Sequence, residues 1–516
     1  MTISTENWQS LQVTEKELEE IYNYLLDTET PIDKYQITKI LIAKAIINFE
    51  KQLATEAASA GKQYLPEKSF TTGEELVFPA LQNSKGKVIN VRAGNNPSYP
   101  DLQVIDVEFS PKVIKSFASN HQDHKLNNPL PQHANELLNP DYVMEKFGLA
   151  LSAKVAEACS QTEDLVCFAN HYFPRALLYD IGIGHLNLCE AVLEMAEGGP
   201  LSTSELISQI ELPTGDNPQL TEFSINFALT KDGRFDEVGP SGIVLWFLKR
   251  LEPQEVQTPP LTLQFNRLLP NDFDDIPGLD ELIRLVDDEL ESENTAEPVD
   301  EISISLSYPH WRAGTLPLTE RNKNIFPTAF ETPRVKFVFH DVNSNEKFPG
   351  WVVRPSKYVY GLRKWYEQQG VIPGSIITLR KSNVSGEVNI LTSKSKSSRD
   401  WIRTVLVGAD GGIVYAMLKQ VIACKYDERM AIMITDVDGI DALWKEGKSR
   451  QTDEKVIMNT MRELVKLNPQ NQIHAQELYS AVNIIKRMPP SVILSILHSQ
   501  PWAKHLGDLY FKLEDN

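Results

Sequence analysis

Cysteine is scarce in this sequence, and the few cysteines have no CxxC spacing. They are Cys159, Cys167, Cys189 and Cys424. Structural zinc sites usually draw ligands from such a spacing, so the pattern argues against a zinc site. Cysteines in apolar, helix-like sequence are typical of buried thiols in a reducing compartment. We therefore expect a cytoplasmic protein whose cysteines form no disulfides.

Long hydrophobic runs are missing as well. Only Ile40–Ile47 resembles a membrane span, and it is far shorter than the ~20 residues that a helix needs to cross a bilayer. The first residues, Met1–Asn7, have neither the basic nor the apolar stretch of a signal peptide. The sequence thus predicts neither a leader nor a membrane partner.

The usual catalytic signatures do not occur: there is no Walker loop, GxGxxG fingerprint, nucleophile elbow or HExxH motif. His121 and His124 flank Asp123 in Asn-rich sequence that is typical of a solvated loop. The run Asp436–Asp441 is similar to part of a calcium loop but lacks its terminal glutamate. Glu108 and Lys112 are too far apart for the Glu-x-Lys pattern of nucleases. The sequence predicts a protein that is not an enzyme and has no cofactor.

Charge is sorted along the chain, which has a net charge of −19 and should as a whole repel phosphate. The acidic segment, Asn271–Glu301, holds thirteen acids and one base, Arg284, for a net charge of −12. The basic island, Lys347–Arg403, holds eleven bases and three acids, for a net charge of +8. This separation predicts that the acidic segment folds back on the basic island as a phosphate mimic.

The basic island interleaves its cations with aromatic side chains, a combination that suits nucleic acid because cations neutralise phosphate and flat rings stack on unpaired bases. Trp351 and Trp365 lie in strand and helix patterns and are expected in the core. Within the basic island, Arg380-Lys381 and the loop Lys394–Arg403 are the strongest candidates. The alternative is that the rings form a core and the bases a solvated face. The predicted contact residues are Arg354, Lys357, Arg363, Lys364, Arg380, Lys381, Lys394, Lys396, Arg399, Arg403, Lys486 and Arg487.

Pattern and turn signals predict an α+β multidomain chain with two winged-helix modules and two small β-barrel-like domains. Both predicted modules have the order helix, helix, helix and glycine-turned hairpin, which indicates a diverged internal repeat. The predicted domains are an N-terminal helical segment (1–60), a small SH3-like barrel (61–125), a winged helix (139–253), an acidic linker (254–302), a basic barrel-like domain (303–445), in which 357–369 is a helix, and a C-terminal winged helix (455–516).

The middle module resembles the HARE-HTH winged-helix family, to which the delta subunit of bacterial RNA polymerase belongs. The likeness rests on Gly199–Leu206, the pair Arg234-Phe235 and the wing ending at Trp246. The C-terminal copy departs from it, because Trp502-Ala-Lys504 stands where the Arg-Phe pair is expected. The resemblance covers about a third of the chain, implies DNA- or transcription-linked work, and transfers no catalytic residue.

Together these patterns predict a nucleic-acid-binding protein, with DNA the expected ligand, in a regulatory or transcription-associated role. RNA polymerase or another protein is the second expected partner. The main alternative is a protein–protein adaptor in a transcription or phage-defence assembly. A nuclease or other enzyme is the third, and metal-dependent cleavage of DNA would reveal it.

Overall fold

The fold is mixed α/β, with several sheets of which one curls into a half-barrel. The computed structural model describes residues 4–59, 62–81, 84–109, 113–127, 136–210, 212, 217–240, 242–265, 276–291, 297, 299–408, 412–445 and 451–514, without the side chains of 53–54, 56–59, 79 and 394–398. The chain divides into two compact units, Met1–Tyr179 and Asp180–Asn516. No helix in these ranges has both the length and the hydropathy that crossing a membrane demands.

The first unit pairs a helical layer with two sheets. Its helices are α1 (Thr5–Gln9), α2 (Glu15–Thr28), α3 (Lys34–Ser59) and α4 (Pro140–Ser160). Its strands are β1 (Ile32–Asp33), β2 (Lys62–Gln63), β3 (Glu75–Phe78), β4 (Ser84–Ala93), β5 (Gln103–Phe109), β6 (Val113–Ser119), β7 (Leu165–Phe168) and β8 (His171–Pro174).

Helix α4 was predicted to belong to the middle winged helix, but it packs in the first unit against α3. Asn139 begins it by accepting a hydrogen bond from the Asp141 N–H at 2.9 Å. Its buried side chains Val143, Phe147 and Leu151 share a core with Ile42 of α3. An apolar stripe predicts that one side of a helix is buried, but it does not identify the element that covers that side. The sequence pattern therefore could not show that α4 packs against α3.

The predicted SH3-like barrel is an open sheet in the described residues, with strand order β2-β3-β4-β5-β6. Its ends curl toward each other, because the backbone N–H of His121 donates to the carbonyl of Pro66 at 2.8 Å and that of Asn120 to Lys68 at 3.2 Å. No ladder of hydrogen bonds joins β2 to β6 within those ranges. The sheet therefore packs one apolar face, around Tyr64 and Phe78, without closing into a barrel.

The second unit holds the remaining elements. Its helices are α5 (Ile183–Met195), α6 (Thr203–Gln209), α7 (Pro218–Lys231), α8 (Gln254–Gln257), α9 (Leu279–Val286), α10 (Tyr308–Ala313), α11 (Arg363–Gln369), α12 (Val437–Lys445), α13 (Asp453–Val465), α14 (Ala475–Ile485) and α15 (Pro490–Ser499). Its strands are β9 (Leu201–Ser202), β10 (Phe235–Glu237), β11 (Leu245–Leu248), β12 (Glu301–Ser305), β13 (Thr315–Pro317), β14 (Arg334–Asp341), β15 (Lys347–Val353), β16 (Tyr358–Tyr360), β17 (Ile376–Lys381), β18 (Glu387–Thr392), β19 (Lys394–Val407), β20 (Ile413–Cys424), β21 (Ile432–Ile434), β22 (Gln472–His474), β23 (Ala503–Gly507) and β24 (Tyr510–Leu513).

Two modules of the second unit share one order of elements: helix, short strand, helix, helix, strand, strand. The middle module runs from α5 to β11 and the C-terminal module from α13 to β24. In each sheet the last strand is central and antiparallel to both neighbours, with orders β10-β11-β9 and β22-β24-β23. The Ser202 hydroxyl and Glu205 cap α6 reciprocally.

The second unit contains a seven-stranded sheet with the order β12-β17-β18-β14-β15-β16-β13. Alternate residues of its strands face a core that includes Phe337, Leu379 and Ile390. The predicted helix over 357–369 is only partly present, since Tyr358–Tyr360 is strand β16 and α11 begins at Arg363. Gly361, with a φ of 121°, turns the chain between them.

The acidic segment is not a linker over 276–291. Helix α9 buries Leu279, Leu282 and Val286 in the core of the C-terminal module. These residues are spaced at i, i+3 and i+7, which is the pattern of an apolar stripe on a helix. A count of charges does not reveal this stripe, because many carboxylates surround it in the sequence.

Candidate nucleic-acid interface

Most bases of the basic island have partners within the protein. Arg380 Nε lies 2.9 Å from Glu301 Oε2, and Lys381 Nζ lies 3.7 Å from Asp300 Oδ1. These pairs follow from the register of β12 on β17, which sets Glu301 opposite Arg380. The acidic segment therefore contacts the basic island at this strand pair, where its carboxylates neutralise Arg380 and Lys381. Lys347 likewise pairs with Glu387.

Four further bases, Arg354, Lys357, Arg363 and Lys364, lie in a turn and in helix α11. Arg354 is partly buried and donates from Nη2 to the carbonyls of Phe326 and Pro327, at 3.3 and 3.0 Å. Arg363 donates to the Arg312 carbonyl at 3.0 Å. Lys357 and Lys364 are exposed and make no ion pair with another described residue. The side chains of Lys394 and Lys396 lie outside the described residues.

The structure buries two of the predicted contact residues, so little of either guanidinium is accessible at the surface. Arg487 is 2% exposed and donates to Asp288 and Glu289. Arg403 is 8% exposed and forms an ion pair with Glu477. Lys486, next to Arg487, lies 2.8 Å from Asp453 Oδ1.

Two tryptophans of the basic island are buried, as predicted, and a third is exposed. Trp351 and Trp365 are 4% and 2% exposed, which confirms that they belong to the core. Trp365 also donates from Nε1 to Asp341 Oδ2 at 3.0 Å. Trp401 is different, because 62% of its surface is exposed.

Strands β19 and β20 form a long antiparallel ribbon, and one of its faces carries Trp401 with cations beside it. The register sets Trp401 opposite Lys419 and Arg399 opposite Val421. Directly opposed residues of a ladder point to the same face, and so do residues two apart along a strand. Lys419 Nζ lies 5.4 Å from the centroid of the Trp401 ring, and Arg399 is exposed two residues away.

This face borders a groove of about 600 Å³ between the ribbon and the C-terminal module, which we call the ribbon groove. Its lining residues are Trp401, Ile402, Arg403, Met417, Tyr426, Glu428, Arg429, Leu464, Leu467, Asn468, Pro469, Ile473, Glu477 and Tyr510. Arg429 donates from Nη2 to the Tyr510 hydroxyl at 3.3 Å. The groove thus combines three aromatic rings with two guanidinium groups.

Arg403 and Glu477 form a charged pair in the ribbon groove. Arg403 Nη2 donates to the carbonyls of Glu428 and Arg429 at 2.5 and 2.6 Å, which fixes the guanidinium plane. Nη1 lies 3.3 Å from Glu477 Oε2 without making a hydrogen bond, and it has no other hydrogen-bond partner among the described residues. Burial lowers the pKa of Arg403, and burial raises the pKa of Glu477 although two arginines oppose the rise.

Neither module presents a basic third helix to solvent. In α15 only Ser499 is exposed, because α9, α14 and β23 pack against this helix. Helix α7 exposes Pro218, Gln219, Glu222 and Lys231, a set with a single cation.

The other candidate residues have structural partners. Asp436 accepts a hydrogen bond from the Gly439 N–H at 2.8 Å, and Asp441 accepts one from Arg312 Nε at 2.8 Å. His124 Nδ1 accepts one from the Leu126 N–H at 3.1 Å. In the ranges that the structure describes, no cluster of three His, Cys, Asp or Glu side chains could hold a metal. Cys159, Cys189 and Cys424 are buried as predicted, whereas Cys167 is exposed.

Comparison with protein-family models, with curated proteins and with solved structures finds no match to this chain. The ligand of the ribbon groove must therefore be inferred from its own chemistry. Sequence reasoning singled out Arg399 and Arg403 but missed Lys419, Arg429, Glu477 and Tyr510, which lie outside the basic island. Only strand register and packing bring them to Trp401.

Proposed function

We propose that this protein binds single-stranded nucleic acid through the ribbon groove. The observation that carries the proposal is the exposed Trp401 ring with Lys419 over it and Arg399 on the same face. Aromatic rings stack on unpaired bases of any sequence, while neighbouring cations contact the phosphates. Because the net charge of −19 repels phosphate over most of the surface, these local cations have to supply the attraction.

We infer that the middle and C-terminal modules are winged helices, as their shared order of elements and sheets supports. Their role here is to shape the site rather than to enter a major groove, since α15 is mostly buried and the exposed residues of α7 include a single cation. The C-terminal module contributes Leu464, Glu477 and Tyr510 to the ribbon groove. This arrangement favours unpaired strands over a duplex.

Fluorescence anisotropy with labelled single-stranded DNA, single-stranded RNA and duplex DNA, each at several salt concentrations, tests the proposal. We expect single strands to bind more tightly than the duplex, with affinity that falls as salt rises. Equal or tighter binding of the duplex would contradict the proposed site. Cleavage of the labelled strand on addition of Mg²⁺ would instead indicate an enzyme.

A protein–protein adaptor is the second candidate, and a separate observation favours it. Leu406, Val414 and Leu418 are exposed on the ribbon face opposite to Trp401. Apolar side chains grouped on an open strand pair are typical of protein contacts. If no nucleic acid binds at any salt concentration, the adaptor becomes the preferred function.

A further inference from the structure

Strand β20 is the edge strand of the sheet β20-β19-β21. Over residues 414–421 its backbone pairs with β19 and with no other described residue. The strand contains one charged residue, Lys419, and no proline. Proteins that stay monomeric usually protect such an edge with charges, proline or a covering element, because its unpaired backbone groups can pair with another strand.

The hairpin of β19 and β20 determines which residues of β20 face the open edge. The Gly408 N–H donates to the Gly412 carbonyl at 2.8 Å, and the register from there to Ile422 is unbroken. Hydrogen-bonded pairs alternate along an antiparallel ladder, so the even-numbered residues of β20 bond to β19. The N–H and C=O groups of Met417, Lys419 and the other odd-numbered residues therefore point away from β19.

Apolar side chains accompany these unpaired backbone groups. Val414, Met417, Leu418 and Val421 are between 37% and 57% exposed. They lie on both faces of β20, because the odd-numbered and even-numbered side chains of a strand point in opposite directions. Apolar side chains grouped on an open strand are typical of a surface that another chain covers.

We propose that β20 pairs with β20 of a second copy of this chain, antiparallel and about a two-fold axis that passes through Leu418 perpendicular to the sheet. The two three-stranded sheets then form one continuous sheet. Met417 of each copy exchanges backbone hydrogen bonds with Lys419 of the other, and Tyr415 extends the ladder to Val421. This inference goes beyond the proposed function and does not depend on it.

The edge is complementary to itself in this register. On the face opposite to Trp401, Leu418 contacts Leu418 of the second copy at a non-hydrogen-bonded position, where opposed side chains are closest. The two Lys419 side chains lie on a diagonal, so like charges are not directly opposed. An edge with one charge does not select a partner strand of a particular charge, whereas two-fold symmetry matches its apolar residues with each other.

The pairing places the two C-terminal modules at opposite ends of the new strand pair. The Tyr415 hydroxyl donates to the Ala481 carbonyl at 3.0 Å, so the C-terminal module covers the Trp401 face near the start of β20. In the antiparallel arrangement the start of one β20 lies beside the end of the other. The Trp401 and Lys419 side chains of both copies therefore lie between the two modules.

The two-fold axis also brings two nucleic-acid sites together on one face. Three strand spacings of ~4.8 Å across the sheet and two residues of ~3.4 Å along it place the two Trp401 Cα atoms ~16 Å apart. If the proposed function holds, one single strand can contact both rings, and its binding favours the dimer.

Light scattering coupled to size-exclusion chromatography, over a series of protein concentrations, measures the mass of the full chain. We expect the mass of a dimer at the highest concentrations. Leu418→Lys and Leu418→Glu each set two like charges against each other at the axis, so each variant alone should be a monomer. An equimolar mixture of the two should recover the dimer, because opposite charges then meet there. Recovery also shows that both variants are folded.

Leu406→Lys is the matched control. Leu406 is 39% exposed, against 37% for Leu418, and lies on the same face, but it belongs to the central strand β19. This variant should remain a dimer. A wild-type chain that is monomeric at every concentration would overturn the proposal and leave the edge to a strand of another protein. A dimer that persists in Leu418→Lys, or a mixture that stays monomeric, would also overturn it.

Residue-resolved hydrogen exchange of the wild-type chain provides a test without a variant. The amides of Met417 and Lys419 should exchange roughly tenfold more slowly at high protein concentration than at low concentration, because pairing protects them. Those of Ala416 and Leu418, which already donate to β19, should change little. Equal rates for Met417 and Lys419 at both concentrations would contradict the pairing. Anisotropy decides the proposed function separately, so either inference can fail without the other.

Discussion

Arg487 Nη2 lies 2.5 Å from Asp288 Oδ1, although 199 positions separate the two residues in sequence. The same guanidinium donates to Glu289 Oε1 at 2.8 Å, and Tyr479 donates to Asp288 Oδ2 at 2.7 Å. His310 Nε2 lies 2.9 Å from the second Glu289 oxygen. These buried groups fix the acidic segment to the C-terminal module, so at Asp288 and Glu289 its carboxylates neutralise Arg487 rather than a nucleic-acid surface.

Replacing Arg487 by methionine should strongly destabilise the second unit. The substitution leaves Asp288 and Glu289 in the interior without their main cation, a change that typically costs ~3–5 kcal/mol of unfolding free energy. Urea denaturation followed by tryptophan fluorescence measures the loss.

Lys486→Met is the matched control for that measurement. Lys486 is the neighbouring base, and its pair with Asp453 is closer to solvent. Such pairs contribute about 0–1 kcal/mol, so the variant should unfold almost as wild type does. Equal losses in the two variants would contradict the assigned role of Arg487.

The second unit should lose stability as the pH rises from 7 to 8. Burial, together with the charge of Asp288, raises the pKa of Glu291 to about 8. The folded state therefore keeps a proton that the unfolded chain, with a glutamate pKa of about 4.3, has already released. Stability then falls with pH across this interval, by about 1 kcal/mol from pH 7 to pH 8. The urea midpoint measured at both pH values tests this.

Glu291→Gln should remove most of that pH dependence, because the amide does not ionise and can still accept the hydrogen bond that the Ser491 N–H donates at 2.8 Å. Glu301→Gln, at an exposed carboxylate, should keep the wild-type decline. His474, whose pKa burial lowers to about 4, affects stability only at lower pH. A wild-type slope in Glu291→Gln would show that another group causes the decline.

Trp401→Ala should weaken binding of single-stranded nucleic acid by between roughly fivefold and a hundredfold, since stacking contributes ~1–3 kcal/mol per base. Anisotropy titrations with a labelled oligothymidine measure the change. Leu406→Ala shortens an exposed apolar residue on the other face of β19 and should bind as wild type does. A loss of affinity in Leu406→Ala but not in Trp401→Ala would place the contact on the opposite face.

Arg399→Glu should lower affinity and reduce the slope of log affinity against log salt by about 0.7, the value for one phosphate contact with a single strand. Arg380→Glu changes the same charge at a base that Glu301 already neutralises on another sheet. It should leave both the affinity and the slope nearly unchanged. Equal effects of the two variants would indicate a long-range field instead of a local contact.

Local patterns in the sequence were sufficient to predict which side chains of the second unit's elements are buried in several places. A strand pattern placed Trp351 in the core and a helix pattern placed Trp365 there, and both side chains are buried. Such patterns show which side of a helix or strand is apolar, because that side is determined by the spacing of apolar residues within a short stretch of sequence.

The interface depends on partners that a local pattern does not contain. Arg487 looks like an exposed base beside Lys486, and only the fold brings Asp288 and Glu289 to it. In the sequence Lys419 is an isolated cation, whereas in the structure the register of β19 and β20 sets it opposite Trp401. The net charge of the basic island was correct as a sum, but ion pairs such as Arg380 with Glu301 cancel it locally.

The distance in sequence between Asp288 and Arg487 also determines the order in which the chain can fold during translation. Ribosomes add ~5–20 residues per second, so the separation of 199 positions corresponds to ~10–40 s. Throughout that interval the apolar stripe of α9, with Leu279 and Leu282, has no C-terminal module to cover it. The nascent chain therefore exposes these apolar side chains until the C-terminal module is complete, and slower translation should increase its aggregation.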